Sequence, residues 1–339
     1  MIEPAKTIVC FGEIVLRLAV PVGEQPLQSP RFDVHVGGAE ANVAVALAAL
    51  GHRVRMVSAL PEGPIGDAAI AELRRHGVDT SAILRRPGRV GLYYHLPGGP
   101  ARTSEVVYDR DDSAFATAEA DEWNWDALLA DASWLHLSGV TPALGRQSAD
   151  AALAAARTAR AAGLGLSFDG NWRGRLWERW EADPAATLRA IISEASLLFG
   201  NHRDAALLLG RDFSGEGGER RREAAVALLR AFPNLALVAS TARRILGPER
   251  HEIAARIDRR DVGFQTDARL VAPIVDRIGT GDAFAAGVLH GLFKDAEIEE
   301  AARQGLALAA LKHGLRGDFA PFSSTALTGA TAEVSDVAR

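Results

Sequence analysis

Four consecutive residues, Gly279-Thr280-Gly281-Asp282, carry the densest chemistry in this 339-residue chain. Glycines open turn conformations closed to other residues and bring bare N–H groups close to a ligand. The alanine-rich helix expected over Gly281–Leu292 adds unpaired N–H groups and a positive dipole end, which together stabilise an anion. A carboxylate at such a place is repelled by bound phosphate. It becomes useful if it takes a proton from the hydroxyl that attacks that phosphate. An aspartate at a helix start is equally an ordinary N-cap, so Asp282 alone decides nothing. Two rival phosphate motifs fail: no GxxxxGK[ST] occurs, and Phe284 stands where a dinucleotide fingerprint wants Gly or Ala.

Short apolar runs alternate with segments of helical period. The expected core strands are Thr7–Phe11, Val54–Ala59, Ser133–Leu137, Gly165–Phe168, Leu197–Phe199, Ala236–Ala239 and Val271–Arg277. The expected helices include Glu40–Leu50, Ile65–His76, Arg146–Ala162, Ala185–Glu194, Arg203–Leu209, Glu219–Ala231, Gly281–Leu292 and Ile298–His313. That alternation predicts an α/β fold, a parallel sheet covered on both faces. Residues 14–36 and 89–113 break it. Alternation in Gly91-Leu92-Tyr93-Tyr94-His95-Leu96 and around Glu105–Tyr108 reads as a small projecting sheet, either a lid or a pair of surface hairpins. Residues 1–325 form the expected domain, and 326–339 read as a loosely held tail.

Composition sets outer limits. Apolar residues make up 48%, charged residues 24%, and the formal charge is −5, so no basic excess exists to attract nucleic acid or an anionic membrane. Cys10 is the only cysteine, which excludes an internal disulfide and a Cys-based zinc site, and no HExxH occurs. Met1–Leu18 lacks a basic n-region, and no apolar run approaches the roughly 20 residues that span a bilayer. The expectation is a cytoplasmic enzyme.

Gly279-Thr280-Gly281-Asp282, with Ala283-Phe284 and Gly287 behind it, resembles the C-terminal signature of the ribokinase-like (PfkB-type) carbohydrate kinases. Gly37-Gly38-Ala39-Glu40-Ala41-Asn42-Val43-Ala44, running to Leu50-Gly51, resembles their N-terminal signature. The two stand far apart, in the family's order, and the likeness covers nearly the whole chain. It implies a three-layer α/β/α sandwich with a mainly parallel central sheet and a small β lid. It also implies that the amides of Gly279, Thr280 and Gly281 hold the moving phosphoryl, that Asp282 is the general base, and that Gly37, Gly38 and Asn42 touch the sugar. On the residues alone, Gly37-Gly38 is equally a tight strand–helix turn.

The resemblance further implies ATP and Mg²⁺, with a monovalent cation such as K⁺ a possible addition. Asn201-His-Arg-Asp204 matches the family's Asn-x-x-Glu metal motif with a shorter acid, acting through water; helix capping explains the same pattern. Where many members carry Lys-x-Gly-x-x-Gly, this chain has Ser240-Thr241-Ala-Arg243, assigning nucleotide contacts to Ser240, Thr241 and Arg243 and placing the helix of His313 beside the base.

Arg17 stands where ribokinase-type sequences place a sugar-binding aspartate, which suits a different ligand or a different neighbour. Asp169-Gly-Asn171-Trp-Arg173-Gly-Arg-Leu176-Trp177, with Tyr93 and Tyr108-Asp109-Arg110, is similar to elements of the family's 2-keto-3-deoxygluconate kinases. There Arg110 and Arg173 hold the acid, since a guanidinium grips a carboxylate through two charge-assisted hydrogen bonds. Asp318 is a candidate hydroxyl contact or a plain turn residue. The implied activity is phosphorylation of 2-keto-3-deoxygluconate at its 6-hydroxyl, with a homodimer formed through the lid. The alternatives are a kinase for a neutral sugar such as fructose or ribose, one for an epimeric keto-deoxy acid, and a binding protein without turnover.

Overall fold

The computed structural model describes residues 6–99, 103–181 and 183–332. Strand Thr7–Phe11 lies inside a ten-stranded sheet and is buried on both faces. Its run of apolar residues, without polar alternation, is what a central parallel strand requires. Ile8 and Cys10 point into one core with Met56, Phe284 and Leu289, and Val9 and Phe11 into the other with Leu135, Phe168 and Trp177. Thr7–Phe11 pairs in parallel with Val54–Leu60 on one side and Ala132–Ser138 on the other. Gly165–Asp169, Leu197–Phe199 and Leu237–Gly247 continue the parallel series beyond Ala132–Ser138. Helices cover both faces.

Two helices fix the position of the glycine turn. Thr280–Phe293 and Ile298–His313 lie so close that a Cβ on Gly291 would stand 2.8 Å from Ala301 Cα, and one on Gly305 2.6 Å from Val288 Cγ2. That approach clamps the Asp282 helix against its neighbour.

The expected small sheet is present, in the order Asp33–Gly37, Val15–Ala19, Gly91–Leu96, Glu105–Asp109. Register sorts its side chains. His35, Arg17, Tyr93 and Tyr108 form one transverse row, and Val34, Leu18, Tyr94 and Val107 the next, on the opposite face.

Three expectations need correction. Val271–Arg277 is not a core strand. Only Arg269–Val271 pairs, antiparallel, with Arg250–Asp258. Pro273 has no donor for a ladder, and the amides of Val275 and Asp276 both donate to the His313 carbonyl, at 2.8 and 3.2 Å. The strand ending at Ala239 instead runs to Gly247 and returns as Arg250–Asp258, an antiparallel hairpin whose Gly247-Pro248 tip was a readable turn signal. Lastly, helix Ser324–Thr331 occupies the start of the expected tail, its Leu327 buried and Ser324 Oγ bonded to Leu50 O at 2.9 Å. Residues 333–339 lie outside the described residues.

His136 is 1% exposed and shares a 2.8 Å hydrogen bond with Ser167 Oγ; burial lowers its pKa to about 3. An unfolded histidine titrates near 6.5, so below that pH the unfolded chain binds a proton that the folded chain refuses. Its contribution to stability is complete above pH 6.5 and is lost as pH falls towards 3. Wild type minus His136→Phe should therefore fall by about 1.4 kcal/mol per pH unit below pH 6.5 in unfolding free energy. Urea titrations at pH 7.5, 6 and 5 measure this, and a pH-independent difference would contradict it.

Candidate active site

Gly279 caps the Thr280–Phe293 helix with φ +80°, a left-handed conformation, and a Cβ there would stand 2.0 Å from the Asp318 carbonyl oxygen. Glycine is therefore required twice over. Thr280 N reaches Arg277 O at 3.4 Å, and its Oγ1 donates to the same oxygen at 2.9 Å. Among the described residues the amides of Gly281 and Asp282 make no main-chain bond outside the helix. These donors stand at the positive end of a 14-residue helix, an arrangement built to receive an anion.

The Asp282 carboxylate is half-buried beside them. Its Oδ2 accepts from Asn42 Nδ2 at 2.6 Å, across 240 residues of sequence. Burial pushes its pKa up to about 7, with Glu40 and Asp318 adding to the rise and Asn42 and Arg173 opposing it. A carboxylate so tuned takes a proton from an alcohol far better than an ordinary aspartate. Asn42 therefore serves Asp282 directly; among the described residues its own Oδ1 is buried without a hydrogen-bond partner. Glu40, two residues before it on helix Ala39–Ala49, accepts from Ser138 N, Ser138 Oγ and Thr141 Oγ1 at 2.7–2.9 Å, locking that helix to the carboxyl end of strand Ala132–Ser138.

Asp169, at the end of its strand, has a pKa raised to about 8 by burial, then by Asp282 and Asp204. Asp204 is raised too, by burial. Asn201 caps helix His202–Leu209, and Asp204 Oδ2 accepts from Asn201 N at 2.7 Å, so the capping pattern is realised. Like charges gathered in this way are what a cation relieves. No group of three or more acidic, His or Cys residues forms a ready metal cage among the described residues. Asp169 and Asp204 are hard oxygen donors of the kind that would suit a hydrated Mg²⁺.

Ser240, Thr241 and Arg243 lie along a strand rather than in a turn. Arg243's pKa is lowered by burial and by the positive charges of Arg277 and Arg203. The three arginines thus gather near the helix mouth, ready for a polyanion. His313 Nδ1 is engaged by Ala309 O at 2.7 Å, and its carbonyl anchors residues 275–276, so this residue holds the glycine loop from beneath.

The inner row of the small sheet meets the same loop. Arg17 pairs with Asp276 through Nη1 at 3.2 Å and Nη2 at 2.6 Å, and with Asp318 Oδ1 through Nε at 2.9 Å. Tyr93 donates to Asp318 Oδ2 at 2.7 Å, and Tyr108 stands opposite Tyr93 on the same face. Burial raises Asp318 to about 6, against the pull of Arg17 and Tyr93. Burial lowers Lys312 to about 8, and its Nζ donates to Leu315 O at 2.7 Å. Gly37 is where it is because a Cβ would stand 2.4 Å from Asp318 Oδ2, and Gly38, at φ +133°, because one would stand 2.2 Å from Glu13 O.

The two expected acid-binding arginines differ. Arg110 is buried and held by Glu13, its Nε 2.6 Å and an Nη 2.5 Å from Oε2. Arg173, at the N-cap of Gly174–Trp177, is exposed, and its charge lowers the pKa values of both Asp169 and Asp282. Sequence reasoning gave no role to Glu13, Asp169, Asp276, Arg277 or Lys312. Asp169 stands inside a quoted motif; the pairing of Glu13 and Asp276 with distant arginines left no local signal.

The pfkB family carbohydrate kinase model matches residues 5–324. A 2-dehydro-3-deoxygalactonokinase from Haloferax volcanii is 34% identical over 313 residues, 92% of each chain. A 2-dehydro-3-deoxygluconokinase from Bacillus subtilis is 30% identical, covering 85% of this chain and 83% of the relative. The crystal structure of 2-dehydro-3-deoxygluconokinase from Thermotoga maritima superposes with a TM-score of 0.91 at 32% identity, covering 96% of this chain and 99% of that one. With its glycine turn, the aspartate that follows it and its small sheet, this chain belongs to the pfkB family of carbohydrate kinases.

Proposed function

We propose that this kinase transfers the γ-phosphoryl of ATP to the 6-hydroxyl of 2-keto-3-deoxygluconate, giving 2-keto-3-deoxy-6-phosphogluconate. The observation that carries the reading is Asp282, with a pKa near 7, beside the free amides of Gly281 and Asp282 at a helix mouth. Asp282 takes the proton of the 6-hydroxyl as it attacks. The amides of Gly279–Asp282 receive the equatorial oxygens of the moving phosphoryl, whose charge they stabilise without reorganisation. Arg243, Arg277 and Arg203 receive the triphosphate in place of the missing lysine turn. Asp204 and Asp169 would hold Mg²⁺ through water, and the ion when bound would supply neutralisation of the phosphate charge.

The names of the similar kinases support a keto-deoxy sugar acid, and they divide between gluconate and its galactonate epimer. The exposed Arg173 is the guanidinium available to the acid end, and Arg110 joins it once Glu13 releases an edge. Gly37, Gly38, Tyr93, Tyr108 and Asp318 line the sugar side. Among the described residues no helix is long and apolar enough to cross a membrane. The outer row of the small sheet exposes Val34 and Val107, a surface suited to the same surface of a second copy.

Four measurements test this. A coupled ADP assay should give turnover on 2-keto-3-deoxygluconate far above fructose or ribose; equal rates on the neutral sugars would end the acid reading, and a faster galactonate epimer would reassign the substrate. Asp282→Asn should lower kcat by roughly 10²–10⁴ with substrate affinity kept. Because the base must be unprotonated, kcat/KM should rise with pH through about 7. Asn42→Ala removes a hydrogen bond that lowers the Asp282 pKa, so its acid limb should move up by about one unit; an unmoved limb would detach Asn42 from the base. Lastly, light scattering should give a dimer that Val34→Asp dissociates, and a monomeric wild type would remove the lid-to-lid contact.

A further inference from the structure

Arg17 is 1% exposed, and among the described residues its guanidinium spans two carboxylates from separate segments. Asp276 opens the loop that leads to Gly279. Its Oδ1 accepts from Ile278 N at 3.0 Å and its Oδ2 from Gly317 N at 3.1 Å, while Arg17 takes both oxygens again from the far side. At Asp318, Oδ1 faces Arg17 Nε and Oδ2 accepts from Tyr93. Each Asp276 oxygen therefore has two donors and Asp318 Oδ2 has one, while Asp318 Oδ1 is ion-paired with Arg17 but accepts no hydrogen bond among the described residues. The charges also close locally, with Arg17 and Lys312 against Asp276 and Asp318. A hard cation needs several oxygen ligands free to turn towards it. Asp276, the carboxylate that ties down this loop, has both oxygens taken by two donors each, so a monovalent cation does not fit on it.

We propose that Arg17 is a built-in cation for the phosphate loop: the guanidinium fixes Asp276 and Asp318, and the kinase neither needs nor binds K⁺ to organise residues 276–281. Arg17 is thus a positioning residue, acting on the phosphoryl through the loop. An arginine brings its charge at fixed geometry and cannot be diluted away, whereas a bound ion depends on its concentration in solution. The same substitution removes an acidic group from the sugar side, so one residue accounts for both the loop's counter-charge and the absent hydroxyl-binding aspartate.

The inference rests on residues 276–281 being the phosphate loop, and the experiment separates the two failures. Turnover and melting temperature of the wild type are measured in KCl, NaCl and tetramethylammonium chloride at matched ionic strength and fixed Mg²⁺. The expected result is turnover equal within about twofold and superimposable melting curves. Severalfold activation or a melting shift specific to K⁺ overturns the proposal, while absence of turnover on every sugar in every salt overturns the kinase reading instead. A second arm uses Arg17→Ala with added guanidinium chloride or KCl in the low millimolar range. A folded Arg17→Ala should lose kcat at least tenfold with the KM for sugar changed less, and should regain part of it with either cation. An unchanged kcat, or a loss neither cation restores, counts against Arg17 as the loop's cation. Should Arg17→Ala not fold, the wild-type salt series decides alone.

Discussion

Four carboxylates, Asp169, Asp204, Asp282 and Asp318, are drawn towards one helix mouth, and the rest of the site is arranged around the repulsion this creates. Like charges in a recessed place raise one another's pKa, since each disfavours ionisation of the next. Asp169 near 8 and Asp282 near 7 record that pressure, with burial as its larger part. The counterweights come from several directions. Asn42 and Arg173 pull Asp282 down, Arg17 and Tyr93 hold Asp318, and the Asn201 amide fixes Asp204. Asp282 ends between a frozen anion and a neutral acid, which is where a base for an alcohol is most effective.

The sheet decides where these groups meet. Ser138, Asp169 and Phe199 stand at the carboxyl ends of adjacent parallel strands, and Asn201 and Asp204 follow within one turn of chain. In an open α/β sheet that edge is where ligands bind, because loops and helix N-termini collect there. What crosses to it from outside is the small sheet, whose inner row brings Arg17 and Tyr93 onto Asp276 and Asp318. A buried pair left with one partner costs about 3–5 kcal/mol, so the small sheet and the loop are bound to one geometry.

Much of this was legible in the residues because it is local. Thr7–Phe11, Leu197–Phe199 and Ile298–His313 fall where periodicity places them, and the glycine turn announces the helix mouth. What escaped was set by distance. Arg17 and Asp276 are 259 residues apart, Asn42 and Asp282 240, and Arg110 and Glu13 97, and nothing in either partner's neighbourhood advertises the other. Val271–Arg277 misled for a related reason: its apolar residues fit a strand, yet its donors are taken by the end of a distant helix. The long Leu237–Gly247 strand was missed because its outer half is exposed and mixes Arg243 and Arg244 with Ile245 and Leu246, so it shows no clean alternation.

Arg110 shows why residue type alone does not decide specificity. A buried guanidinium with a 2.6 Å carboxylate partner is neutralised, and a second carboxylate must compete with Glu13 for it. Among the described residues Glu13 Oε1 is buried without a hydrogen-bond partner, so the pair is incompletely satisfied. An incompletely satisfied buried pair is a poor contributor to stability and a good candidate for rearrangement when a ligand adds the missing contact. Gly91 makes room for that carboxylate, since a Cβ would stand 2.3 Å from Glu13 Oε1. The chain has therefore kept a glycine in a strand, where glycine weakens pairing, in order to seat a charge beside the small sheet. That arrangement is hard to explain by folding alone and follows naturally if Glu13 and Arg110 together read the acid end of the sugar.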